Sequence, residues 1–87
     1  MSPLDIPRAP REGIEHDFRM VPTRLTARRE GASWVLYEKD PRDGKERILT
    51  FRGDWQDIYT HGTLLARALS GRTLEQGVVD GVIEGPL

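Results

Sequence analysis

The sequence predicts an α+β fold: a three-stranded antiparallel meander with one main helix packed on one face, then a short C-terminal helix or strand. Three observations carry this expectation. Residues 34–51, WVLYEKDPRDGKERILTF, set two runs of strand-forming residues around a loop holding Pro41, Asp43 and Gly44. Ahead of them, TRLTARREGASW supplies a third run and a second turn. Behind them, from Asp54 to Gly71, apolar residues recur at helical spacing.

Charge fixes the register of the main hairpin. With Pro41 to Gly44 as a four-residue loop closed by Asp40 and Lys45, Lys39 faces Glu46 and Glu38 faces Arg47. A slip of one residue would oppose Lys39 to Lys45 and Glu38 to Glu46, and opposed like charges destabilise a strand pair where unlike ones help it, by roughly 0.2–1 kcal/mol each. Gly44 then takes the left-handed position at the end of the loop. Because side chains alternate along a strand, one face carries Trp34 beside Phe51 and Leu36 beside Leu49, and must be covered. The other carries Val35 with Thr50, Tyr37 with Ile48 and Lys39 with Glu46.

The preceding strand joins through a turn at Arg29 to Ala32, pairing Arg28 with Ser33 and Ala27 with Trp34. Leu25 and Ala27 extend the apolar face; Arg24, Thr26 and Arg28 extend the mixed one. Two independent turns therefore give one sidedness. Pro22 marks the start of this strand at the sheet edge.

The helix follows with Asp54 as N-cap and Asp57 in its first turn, next to the positive helix end. Trp55, Ile58, Tyr59, Gly62, Leu65, Ala66 and Leu69 form its apolar stripe. Gly62 costs up to about 1 kcal/mol of helix propensity, which a close approach to the sheet would explain. Ser70-Gly71 ends the helix. In the tail, Thr73 and Gln76 make a capping-box pattern and Leu74, Val78 and Val82 share a helical face. The β-branched residues among glycines suit a strand instead; a short second helix is the reading adopted.

The first 17 residues hold Pro3, Pro7, Pro10 and Gly13 among charges, and are read as a flexible N-terminal arm preceding a single small domain over 18–87. Leu4, Ile6 and Ile14 are its apolar residues. A chain of 87 residues sustains one core, without a deep substrate cavity as well. The absence of cysteine excludes disulfides, thiolate metal ligands and thiol nucleophiles. No apolar run spans a bilayer and the N-terminus lacks a signal-peptide centre, so a cytoplasmic protein is expected.

Catalytic patterns are thin. Glu15, His16 and Asp17 are adjacent in sequence, and adjacent residues rarely converge on a metal. Asp57 and His61 stand four apart on the helix, as a surface pair with no nucleophile placed beside them. GVVDGVIEG lacks calcium-loop spacing, and neither a phosphate loop nor a dinucleotide fingerprint occurs. The expectation is a non-enzymatic protein with no cofactor and no metal.

The mixed sheet face is the candidate working surface, with Arg24, Arg28, Val35, Tyr37, Lys39 and Ile48 as its binding residues. Guanidinium groups beside an aromatic can stack on it or grip a carboxylate or phosphate, and Val35, Tyr37 and Ile48 offer an apolar centre. The run Gly31, Trp34, Asp40-Pro41, Gly44-Lys45 and Thr50-Phe51, followed by a helix, resembles the arm-type (AP2-like) DNA-binding domain of phage integrases over about residues 24 to 69. The resemblance implies a three-stranded sheet backed by one helix, reading the DNA major groove through Arg24, Arg28, Tyr37 and Lys39. Such domains are strongly basic, whereas this chain has a net charge of −1 and places Val35, Ile48 and Glu46 on the same face. Eleven basic and nine acidic residues lie in 1–53, against two and five in 54–87. The expected function is a protein-binding accessory or regulatory module, with a protein partner or a homodimer formed through the mixed face or a sheet edge. DNA binding through that face is the alternative.

Overall fold

The computed structural model describes residues 5–83, without the side chains of Thr50 and Phe51. Its elements run β1 (His16–Arg19), β2 (Arg24–Glu30), β3 (Ser33–Lys39), β4 (Glu46–Gly53), α1 (Trp55–Leu69) and α2 (Leu74–Val79). The fold is α+β, an antiparallel sheet of order β1-β2-β3-β4 with α1 packed across it and α2 following. The expected meander is β2-β3-β4, and β1 adds a fourth strand at its free side.

The β3–β4 loop closes as the charges require. Asp40 N donates to the Lys45 carbonyl at 3.1 Å and Gly44 N to the Asp40 carbonyl at 2.8 Å, with Gly44 at φ 71°. Lys39 pairs with Glu46, Glu38 with Arg47 and Tyr37 with Ile48. Beyond Tyr37 the register shifts, so that Val35 meets Arg52 and Trp34 meets Gly53, instead of Thr50 and Phe51. The shift adds two residues to β4, an even number, which preserves sidedness while breaking the regular ladder.

The β2–β3 turn is tighter than a four-residue count implies. Glu30 pairs with Ser33 across Gly31-Ala32, Arg28 with Val35 and Ala27 with Leu36. Gly31, at φ 63°, opens this two-residue loop, whose backbone twist matches that of the flanking strands. The shift from the expected register is again two residues, so every side chain keeps its face.

The core lies between the sheet and both helices: Leu25, Ala27, Trp34, Leu36, Leu49, Ile58, Leu69 and Leu74 are buried. Each fully buried Leu or Ile contributes roughly 1.5–3 kcal/mol of transfer free energy. Asp54 caps α1, its carboxylate accepting from Asp57 N at 2.9 Å. Ser70 at φ 49° and Gly71 at φ 85° end it. Thr73 caps α2 by accepting from Gln76 N at 3.1 Å, so the tail is helical over Leu74–Val79.

β1 explains Gly62. The Phe18 ring packs so tightly on α1 that a Cβ at position 62 would stand 2.4 Å from it. Phe18, Trp55 and Tyr59 surround His16 with ring centroids 4.7, 5.4 and 5.5 Å away, a cluster extended by Trp34 against Trp55. The sheet thus begins at His16, two residues inside the segment assigned to the arm. Residues 5–15 hold no helix or strand, and Trp55 Nε1 donates to the Pro7 carbonyl at 2.7 Å.

Glu38 is oriented differently from the expected Glu38–Arg47 contact. Although Arg47 is its cross-strand neighbour, Glu38 lies on the helix side and its Oε2 takes Arg19 Nη2 at 3.1 Å, Thr23 Oγ1 at 2.6 Å and Leu74 N at 2.9 Å. One carboxylate thereby ties β1, β3 and the start of α2 together.

Candidate functional site

Both helices occupy one side of the sheet. The opposite face carries Asp17 of β1, Arg24, Thr26, Arg28 and Glu30 of β2, Val35, Tyr37 and Lys39 of β3, and Glu46, Ile48 and Arg52 of β4. Strand alternation puts the expected binding residues together here, but at two depths.

Val35 and Tyr37 are 1% and 3% exposed, so the apolar centre expected at the surface is beneath it. The reason is a charged strap running from β4 over β3 to β2 and back. Arg28 Nη1 meets Glu46 Oε2 at 3.4 Å, Arg28 Nη2 meets Glu30 Oε2 at 3.1 Å, and Glu30 Oε1 meets Arg52 Nη2 at 3.6 Å. The Arg28 guanidinium lies 4.5 Å above the centre of the Tyr37 ring, a cation–π position. Its stem and head cover the aromatic as long cationic side chains do. Next to the strap, Arg24 Nη2 meets Asp17 Oδ2 at 2.8 Å.

These pairs tune the face. The hydrogen bond that Arg24 donates to Asp17, and the negative charge of Asp17, raise the Arg24 pKa above the ordinary guanidinium value. Burial opposes the charge on Arg28, yet hydrogen bonds and charge from Glu30 and Glu46 prevail and raise its pKa as well. Arg24, Arg28, Lys39 and Arg52 stand against Asp17, Glu30 and Glu46, an excess of one positive charge. Among the described residues, Ile48, 55% exposed, is the large apolar residue left in the open on this face. Arg24, Arg28 and Lys39 are partly exposed around it.

Asp17, Glu30 and Arg52 belong to the site although sequence reasoning did not place them there. The alternation of His16, Asp17 and Phe18 was the available signal for the first. For Glu30, the signal was Gly31 as the first residue of a two-residue loop, which lengthens β2 by a pair. Alternation from Ile48 puts Arg52 on this face, but its place opposite Val35 required the β4 irregularity, which has no marker in the sequence.

The other side chains considered for chemistry are elsewhere. His61 Nδ1 is 2.8 Å from the Asp57 main-chain carbonyl on the exposed side of α1. Burial pushes the His16 pKa below the ordinary imidazole value, against the opposing charge of Asp17. Among the described residues no group of three His, Asp or Glu is placed to hold a metal ion, and no helix is long and apolar enough to cross a membrane. No protein-family model matches the chain, and comparison with curated proteins and with solved structures finds no match.

Proposed function

We propose that this is a non-enzymatic protein-binding module, accessory or regulatory, whose contact surface is the helix-free face of the sheet. The observation that carries the reading is Ile48, an exposed apolar side chain on a face whose Arg24, Arg28 and Arg52 are already paired with Asp17, Glu30 and Glu46. An apolar contact inside a polar rim is the anatomy of a protein interface. Because the strap satisfies its own charges, a partner can cover it without stranding an unpaired ion, the main cost of burying charge.

DNA binding is the second reading. It is supported by Arg24, Arg28 and Lys39 sharing the helix-free face, as in the integrase-type arrangement. Against it, phosphates would have to displace Asp17, Glu30 and Glu46 from those arginines, on a face with an excess of one positive charge. Titration of a fluorescent mixed-sequence duplex at low and high salt separates the readings. The module is expected to leave the duplex anisotropy unchanged at low salt. Binding at low salt that is lost as salt rises, the mark of released counterions, would favour DNA.

A further inference from the structure

We infer that Trp55 is a docking site for a proline-rich segment of a partner protein, and that the chain's own Pro7-Arg8-Ala9-Pro10 segment fills it in cis as a built-in competitor. The site is on the helix side of the molecule, so the inference goes beyond the proposed partner-binding face and does not depend on it.

Trp55 opens α1 and is half-buried. Its ring is held from within by Trp34, Tyr59 and His16, with centroids 5.0, 5.4 and 5.4 Å away. Its Nε1 is turned outward instead, and donates to the Pro7 carbonyl at 2.7 Å in an exposed contact. An indole donates and never accepts, and a proline-rich segment is the natural complement of such a donor. Proline has no N–H and fixes its own φ, and the residue before it is pushed to extended backbone. Ile6, Pro7, Ala9 and Pro10 are restricted in this way, and residues 5–11 hold neither helix nor strand. A segment so restricted favours the polyproline II form, which makes no internal hydrogen bonds and leaves its carbonyls open. Little freedom is then lost on docking, which is why Pro-x-x-Pro segments are read by exposed aromatic side chains.

The arm is lightly held. Among the described residues, the Trp55–Pro7 contact is the hydrogen bond that joins Asp5 to Glu12 to the rest of the molecule, and Arg8 and Arg11 make no ion pair. Asp5 to Ala9 are exposed and Pro10 is half-buried. One hydrogen bond stands against the conformational entropy of ordering a terminal segment. What favours the closed arrangement is the tether: residues 8–15 connect Pro7 to β1, and a short tether gives an effective concentration on the order of millimolar. A proline-rich ligand in trans meets that competitor, and its apparent affinity is reduced by the fraction of time the site stands open.

Fluorescence anisotropy of a labelled peptide of residues 5–12, DIPRAPRE, tests the inference on the full chain. Pro7→Gly with Pro10→Gly loosens the arm and leaves the core residues unchanged. This variant is expected to bind the peptide about tenfold more tightly than wild type, the factor for a site filled in cis nine-tenths of the time. Adding Trp55→Phe is expected to abolish binding with the circular-dichroism spectrum kept, and so is replacing both prolines of the peptide by glycine. In proton–nitrogen correlation NMR spectra of the loosened variant, the peptide is expected to move the Trp55 indole N–H peak, a readout that needs no change at the site. No binding to the loosened variant at about 1 mM peptide, the scale of the tether's effective concentration, would overturn the inference. So would equal affinity in wild type and loosened variant, binding that survives Trp55→Phe or the loss of the peptide's prolines, or an indole peak that stays in place.

Discussion

Single carboxylates and one imidazole set much of the local behaviour. Glu38 serves three donors through one oxygen, and its side chain and that of Arg19 are 9% and 10% exposed. Removing one member of a buried pair leaves the other charge stranded, a loss of about 3–5 kcal/mol. Glu38→Ala is therefore expected to lower stability by about that amount in urea denaturation, and Glu38→Gln by less, because its amide oxygen still accepts from Thr23 and Leu74. A Glu38→Ala midpoint equal to wild type would show that the three contacts contribute nothing. His16 gives a pH dependence of definite sign. Its folded pKa is depressed by burial among Phe18, Trp55 and Tyr59, so the unfolded chain binds the proton first as pH falls. Stability from this group is present above the unfolded value of about 6.5, and is lost as pH falls through the lower folded value. The melting temperature of wild type is expected to drop more steeply than that of His16→Phe between about pH 7 and pH 5, a window set around that unfolded value. Parallel curves would remove His16 as the cause.

At the level of elements, Gly62 and Phe18 act as one feature. An alanine gains about 1 kcal/mol of helix propensity over glycine, but its Cβ would meet the Phe18 ring at 2.4 Å, and overpacking of this kind costs about 1–3 kcal/mol. Gly62→Ala is expected to destabilise the wild type and to stabilise a Phe18→Ala background, as read from thermal unfolding of the four proteins in the cycle. Stabilisation in both backgrounds would mean that β1 does not rest on α1. The same pair shows what the sequence made legible. Glycine in the apolar stripe signalled close approach, Asp54 and Thr73 marked two helix starts, and the alternating charges of residues 38–47 gave the hairpin register; all are local signals. β1 was not legible, because four residues between proline-rich and turn segments carry too little pattern and its reason for pairing is Phe18 meeting a helix more than 40 residues away. The sidedness of Val35 and Tyr37 was readable from alternation, but their depth was not. It depends on Arg28, Glu30, Glu46 and Arg52 meeting over β3, which in turn depends on a two-residue turn and an irregular β4.

Over the whole molecule, the helices gather on one side and leave a sheet face on which Arg24, Arg28 and Arg52 are matched by Asp17, Glu30 and Glu46 before any partner arrives, with Lys39 as the excess charge. On the proposed reading, a protein partner covers Ile48 and lays its own polar rim over the strap, whereas a polyanion would have to displace the paired carboxylates. The acidic excess of residues 54–87 lies in the helical half of the chain, so long-range attraction to nucleic acid is weak from that side as well. The most direct measurement is photo-crosslinking in cells that make the protein, with a photoreactive phenylalanine replacing Ile48 in one variant and Arg42, on the exposed β3–β4 loop, in another. The account predicts protein adducts of discrete mass from position 48 and none from position 42. Adducts to nucleic acid at position 48, or identical labelling from both positions, would contradict it.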